Sequence, residues 1–399
     1  MFYHLFLFIR INVNLVKKIL VIHTNYREIG GEDVAVDNEL KLLADHFEVD
    51  KLIFSNSSQI TKDEIFSFFS QNNEKSNKQL IKKISTFKPD LAYVHNTWFS
   101  ASLGIFRILD QHNIDTVVKI HNYRYECTKT QKSKDHLNGE NICLACGFEK
   151  NSFGYFNKYF ENSFIKSYFV NRYGKKYIKI LLKNKIRLLV LTNFQKNSMV
   201  NLGVNENKIK VYPNYLKLSK HSSINNENYI AYAGRISKEK GVEELIQSFL
   251  SAKLEKIKLK IIGDGPLLAY LKETYRSNKI DYLGQVDNMS VIKIIQESQA
   301  VVTATKLLEG QPTLLCEASS LGIPSIFPRS GGISEFFPES SKLSFEQFNY
   351  EDLTSKLKLL RDENLLKIEG ENNCKYISNY LDEKKMITTF TQIVNNIDE

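Results

Sequence analysis

From Lys17 to about Pro213, short β-branched and apolar runs alternate with stretches whose apolar positions recur at helical spacing. Strands are predicted at Ile19–His23, Val49–Phe54, Leu91–His95, Thr116–His121 and Leu188–Thr192, with helical periodicity at Asp37–His46 and Leu103–Gln111 between them. Apolar strands alternating with amphipathic helices imply a parallel sheet covered on both faces. The apolar signal fades from Asn214 to Asn228, and a second series then begins. Its predicted strands are Tyr229–Ala233, Leu259–Ile262, Asp281–Leu283, Ala300–Ala304 and Ser325–Phe327. Its predicted helices are Lys240–Leu250, Leu267–Arg276, Met289–Glu297 and Thr313–Leu321.

The pattern predicts an α/β chain with two Rossmann-like domains facing across a cleft. The expected division is 17–214, a polar linker at 215–228, and 229–380, with a last helix in 381–399 packing back on the first domain. At 399 residues the chain exceeds the size at which one core keeps growing, which agrees with two domains. Residues 1–16 read as an N-terminal extension. Phe2–Ile9 is too short to span a bilayer, Arg10 interrupts it, and neither a basic n-region nor a small-residue cleavage site is present.

Composition changes this picture in two places. Five cysteines at uneven spacing, without a secretory signal, point to a reducing cytoplasm. Cys127, Cys143 and Cys146 form C-x15-C-x2-C, and the second half has zinc spacing. A fourth ligand would have to be His136 or His121, so buried or incidental thiols are the preferred reading and no metal site is expected. The net charge is +9, and residues 151–187 concentrate it: nine Lys and Arg stand there against Glu161, interleaved with aromatic residues. That segment is read as a solvated helical face or as an attachment to an anionic membrane surface, where cations and interfacial aromatics both contribute. Nucleic acid is not expected as a partner, because no matching motif accompanies the charge.

In open parallel sheets, ligands bind beyond the carboxyl ends of the strands, where helix N-termini converge. Candidate chemistry falls there. Gly30 and Gly31 follow the first strand and would let a ligand approach the backbone, or form an ordinary tight turn. Arg235 and Lys240, in Gly234-Arg-Ile-Ser-Lys-Glu-Lys-Gly241, stand at a strand end and a helix start and could clamp a diphosphate; solvated surface is the alternative. Gly263, in Ile-Gly-Asp-Gly-Pro266, joins a strand to a helix, with backbone contact to a base or ribose beside the plainer reading of a structural turn. Glu309 opens a Gly/Pro turn, and Glu317 falls inside the next apolar helix, where an unpaired charge is costly unless donors are supplied. A ribose diol supplies two.

In their order and spacing, GRISKEKG, IGDGP, LEGQPTLLCEASSLGIP and GGISEFF resemble the C-terminal domain of retaining GT-B glycosyltransferases of the family-4, or group 1, type. The resemblance covers residues 229–336 strongly and the first domain more loosely. It implies that Arg235 and Lys240 hold the pyrophosphate of a nucleotide-diphosphate sugar, that Glu309 lies at the donor sugar and that Glu317 holds the ribose hydroxyls. Backbone around Gln311, Pro312 and Thr313 would run beside sugar and phosphates, and Gly30 and Gly31 would close over the diphosphate. His121 resembles the family's histidine near the donor sugar, and Glu335 a further acidic position after the GG turn. The Glu-Gly-Gln-Pro variant, where many members have Glu-Gly-Phe-Gly, resembles polysaccharide-assembly enzymes.

The activity so implied is metal-independent transfer, with retention, of a hexose-type unit to a growing glycan, in capsule or other surface polysaccharide assembly. The acceptor would be lipid-linked at the inner face of a membrane, and no cofactor is expected. A nucleotide-sugar epimerase on the same scaffold and a non-catalytic partner of a glycan-assembly complex are the rival readings.

Overall fold

The computed structural model describes residues 16–26, 30–56, 67, 69–125, 163–218 and 227–395. Strands β1 (Lys18–Asn25), β2 (Glu48–Ser55), β3 (Leu91–Val94), β4 (Asp115–Ile120), β5 (Ile186–Val190) and β6 (Ile209–Val211) form one parallel sheet in the order β2-β1-β3-β4-β5-β6. Strands β7 (Tyr229–Ala233), β8 (Lys258–Ile262), β9 (Ile280–Gly284), β10 (Ala300–Val302), β11 (Ser325–Arg329) and β12 (Ser344–Glu346) form a second, in the order β12-β11-β10-β7-β8-β9. The central residues of β1, β3 and β5 are buried, as doubly covered parallel strands require.

The order reverses between β1 and β3 in the first sheet and between β7 and β10 in the second. Each reversal opens a crevice where neighbouring connections leave on opposite faces. Two such crevices face each other across the cleft.

Local patterning missed several elements. Strands β6 and β12 are three residues each, too short for a period of two to register. Helix Glu74–Phe87 is capped by Asn73, whose side chain accepts from the Lys75 and Ser76 N–H groups, and its apolar stripe of Leu80 and Ile84 is sparse. The predicted helix Lys240–Leu250 is broken at Gly241. Residues Lys238–Lys240 form one 3-10 turn, Gly241 adopts φ +66°, and the helix runs Val242–Ser251. A Cβ on Gly241 would lie 2.0 Å from the Ala304 carbonyl oxygen, and this close approach sets the break.

The two sheets are tied together behind the cleft. Helix Glu383–Val394 lies against the first domain: Phe390 packs on Tyr93 and Tyr212, and Arg187 Nη1 donates to the Ile393 and Val394 carbonyls. Lys119, fully buried in β4, is paired with Glu39 and donates to the Pro213 carbonyl at 3.0 Å, while Tyr93 donates to the other Glu39 oxygen. Partnering is what allows a buried charge there. One apolar cluster accordingly runs from Val21 and Leu189 in the first domain through Tyr212 and Tyr215 to Phe336 and Ile377 in the second.

Candidate active site

At the β7/β10 crevice, Lys240 Nζ lies 2.6 Å from Glu309 Oε1, and the Thr305 hydroxyl donates to the same oxygen at 2.9 Å. Burial pushes the Glu309 carboxyl upward, but the Lys240 ammonium and these hydrogen bonds bring it below the ordinary carboxylate value. Glu309 is thus held ionised. Both side chains keep nearly a third of their surface open to the cleft. Arg235, beyond β7, is exposed and takes no carboxylate partner among the described residues. Its guanidinium is free for a ligand.

Helix Thr313–Ser320 opens toward the same space; the Thr313 N–H donates to the Gln311 carbonyl at 3.1 Å, and Pro312 at the N-cap offers no side-chain hydrogen bond to the later first-turn N–H groups. Glu317, one turn in, accepts no hydrogen bond from the described residues, and burial raises its pKa to about 7. The Gln311 side chain is engaged within the protein, apart from the backbone role expected of this turn. It accepts from the Asn214 N–H at 2.5 Å and donates to the Asn214 carbonyl at 3.1 Å, so it anchors the interdomain crossing. Gly263 also answers to the protein itself: at φ +128°, a Cβ there would stand 2.0 Å from the Gly234 carbonyl oxygen.

In the first domain, Gly30 and Gly31 begin helix Gly31–Ala44, and Asp33 fixes their loop by accepting from the Gly30 N–H at 2.8 Å and bonding His23 Nε2 at 2.8 Å. A Cβ on Gly31 would lie 4.0 Å from Thr313 Oγ1, which brings this loop across the cleft to the second domain's helix start. His121 directly follows β4 and lines the recess there: its Nε2 lies 2.8 Å from His95 Nδ1, and the rings stack. Burial and neighbouring cationic groups hold both histidines well below their ordinary pKa, so the pair is uncharged at neutral pH. Tyr123, two residues on, crosses to Glu309: its hydroxyl donates to the Glu309 carbonyl at 3.4 Å.

Sequence reasoning left Glu335 without a role and missed His95. The Glu335 carboxylate accepts from the Asn193 N–H at 2.7 Å, the Asn193 side chain at 3.1 Å and the Phe194 N–H at 2.8 Å, so the second domain caps helix Asn193–Asn201 of the first. An anion at a helix N-terminus is favoured by its free N–H groups and by the macrodipole. Glu335→Ala is expected to cost about 1 kcal/mol of stability. It should also raise the radius of gyration of the free protein in small-angle scattering; no change in either quantity would mean that the contact does not hold the cleft closed. For His95, the signal was present: β3 and β4 are each followed by His-Asn.

Helix Phe164–Leu181 falls in the basic-aromatic segment and does not present one uniform face. Tyr173 and Tyr177 are buried against Trp98, whereas Phe164, Ile165 and Tyr168 are exposed at its start beside Lys166. Lys176 and Lys179 are exposed further along. No helix among the described residues is long and apolar enough to cross a membrane. Cys127, Cys143, Cys146 and residues 151–162 lie outside the described residues, as do residues 1–15.

Two parallel-sheet α/β domains that face each other at their switch points define the GT-B fold. Residues 216–378 match the family described as glycosyl transferases group 1. The match lies in the second domain and the crossing into it. An uncharacterized glycosyltransferase of Methanocaldococcus jannaschii is 25% identical over 249 residues, 58% of this chain and 63% of its own length. The capsular polysaccharide biosynthesis glycosyltransferase CapM of Staphylococcus aureus is 27% identical over 217 residues, 50% and 55% respectively. These matches span less than two thirds of either relative. Among solved structures, sucrose-phosphate synthase from Thermosynechococcus elongatus superposes at TM-score 0.68 with 14% identity, over 96% of this chain and 99% of its own. Anabaena HepE, in complex with UDP and glucose, superposes at 0.66 with 14% identity, over 95% and 99%. At such identities these structures speak to the fold.

Proposed function

We propose that the chain is a retaining glycosyltransferase that moves a hexose-type unit from a nucleotide-diphosphate sugar to a growing, lipid-linked glycan in surface polysaccharide assembly. The observation that carries this reading is the Lys240–Glu309 pair at the β7/β10 crevice, flanked by Arg235 and Glu317, which are unpaired among the described residues. HepE was solved with UDP and glucose, and CapM is named for capsule synthesis, which supports the donor class and the biological setting.

In this reading, Arg235, Lys240 and the N–H groups opening helix Thr313–Ser320 receive the diphosphate. They take up the leaving group's charge, so a metal ion is not required for departure. Glu309 stays anionic beside the donor sugar, where positive charge develops at the anomeric carbon. The acceptor hydroxyl attacks from the leaving-group face, and the departing phosphate accepts its proton. Glu317 accepts two hydrogen bonds from the ribose diol, and Gly30 and Gly31 close over the diphosphate. The enzyme works at the cytoplasmic face, needs no cofactor, and rests on the membrane as a peripheral protein.

The test is binding of nucleotide-diphosphate sugars followed by thermal shift, with a pH profile. Ribose hydroxyls favour the ionised Glu317, whose pKa is raised to about 7 in the free protein. Affinity should therefore rise from pH 6 to pH 8, by up to about tenfold if only the ionised form binds. Glu317→Gln should weaken binding and flatten the profile. The sign for the free protein is opposite: a carboxyl with a raised folded pKa loses stability as pH climbs from its unfolded value toward 7. A protein that no nucleotide sugar stabilises is not a transferase of this class, and free isomerised sugar formed without acceptor would identify an epimerase.

The membrane placement has its own check. The exposed Phe164, Ile165 and Tyr168, beside exposed cations on one helix, suit an anionic interface. Sedimentation with anionic vesicles should be strong at low salt, weak at high salt and nearly absent with neutral vesicles, since attraction decays within a Debye length of about 8 Å at physiological salt. Replacing Lys175, Lys176, Lys179 and Lys183 with Gln should release the protein; sedimentation equal to the parent's would leave the helix as a solvated face.

A further inference from the structure

A second polar recess lies in the first domain, beyond the carboxyl ends of β3 and β4, walled by His95, Asn96, Thr97, Trp98, Arg124 and Glu32. We infer that this recess binds the acceptor through an anionic group, a sugar carboxylate or a phosphate, held by Arg124. The inference rests on the first domain being the acceptor side of the proposed transferase.

Arg124 is held flat but left unneutralised. Its guanidinium carbon lies 5.2 Å from the Tyr26 ring and 5.1 Å from the Trp98 ring, and Nη1 donates to Asn96 Oδ1 at 3.3 Å. A guanidinium carries five N–H donors in a rigid fork, so most of its donors are without an acceptor among the described residues. The nearby carboxylate does not take them. Glu32 Oε2 accepts from the Tyr26 hydroxyl at 2.7 Å and from the Asn122 side chain at 3.1 Å. The ammonium of Lys119 on the floor is paired with Glu39, and the two histidines are uncharged. Arg124 is thus the wall's unpaired cation among the described residues.

The remaining wall suits hydroxyls. His95 Nε2, Thr97 Oγ1 and Trp98 Nε1 are buried without a hydrogen-bond partner, although each residue is at most 4% exposed. Buried polar atoms left without partners are costly, so several in one recess point to a ligand that completes them. The location agrees with transfer: Tyr123, the neighbour of Arg124, reaches the Glu309 carbonyl, so the recess adjoins the donor-sugar side of the cleft.

Trp98 is the chain's single tryptophan, and its fluorescence reports on this recess directly. Methyl glucuronide, glucose 6-phosphate and methyl glucoside would be titrated, with excess uridine diphosphate present so that the donor site contributes nothing. At least one anionic sugar should give a saturable change that the neutral glycoside does not. A response to the glucuronide alone assigns a uronate, and one to the phosphate alone assigns a sugar or lipid phosphate. Arg124→Gln should weaken the anionic sugar by about 10- to 100-fold, the range of a lost charge-assisted hydrogen bond. Arg124→Lys, which keeps the charge but not the fork, should fall between and serves if the glutamine variant does not fold. Equal response to the neutral glycoside, no response to either anion, or parent-like binding in both variants overturns the inference. Thermal shift by nucleotide sugars reads the donor site separately, so a failure there is distinguishable from a failure here.

Discussion

Lys240→Ala is expected to lower kcat/KM by about two to three orders of magnitude, a loss of the size seen when one preorganised charge partner of a transition state is removed. Two effects add. The ammonium that would meet the diphosphate disappears, and Glu309 loses the cation 2.6 Å away that keeps its carboxyl below the ordinary value. The Glu309 pKa should then rise, since burial is left opposed by the Thr305 hydroxyl alone. At saturating donor, where the Glu317 dependence of affinity drops out, the variant's kcat should therefore fall as pH drops while the parent's stays flat. Arg235→Ala removes an exposed group without an internal partner, so it should weaken donor affinity without this pH signature. Steady-state kinetics across pH 5 to 8 for both variants check the distinction. A Lys240→Ala enzyme with parental kcat/KM would remove Lys240 from the chemistry.

Gly331→Ala is expected to destabilise the protein by about 2–4 kcal/mol, combining left-handed backbone strain with overpacking. Gly331 has φ +56°, and a Cβ there would stand 2.4 Å from the Glu309 carbonyl oxygen and 2.8 Å from the Glu309 nitrogen. Both contacts are with backbone, which no side-chain rotation relieves. The neighbouring Gly332 N–H donates to the same carbonyl at 2.8 Å, so the GG turn is the support on which Glu309 rests. Displacing that support by even 1 Å should cost about 100-fold in turnover among molecules that remain folded. Donor affinity should change far less, because Arg235 and Glu317 stand on other segments. Chemical denaturation and single-turnover rates measure the two parts. A variant with parental stability and rate would show that the turn has room to yield.

Much of the site was legible because it lies at strand ends, where the hydrophobic period stops and unusual residues begin. Arg235 after β7, Glu309 after β10 and Gly30 after β1 could each be placed from pattern alone, since a parallel sheet brings successive strand ends to one edge. Partnerships were not legible. Glu309 and Lys240 are 69 positions apart, and no local rule states that the 3-10 turn before Gly241 aims the ammonium at that carboxylate. Gln311 and Glu335 show the same limit. Each sits in a motif that invites a ligand, yet one side chain grips the Asn214 backbone and the other caps a helix of the opposite domain.

His121 marks the boundary most clearly. Its position at the end of β4 followed from an apolar run ending in His-Asn, but its orientation depends on His95, which arrives from a different strand. By itself the sequence determined the α/β class, the two alternating series, the polar crossing between them and the residues set at strand ends, because these follow from periodicity and composition over short windows. The tertiary structure alone decided which of those residues meet, which are used up inside the protein and which remain unpaired. Hydrogen bonds and ion pairs across 69 or 97 positions require the whole fold to bring their partners within 3 Å, and no short window contains both ends.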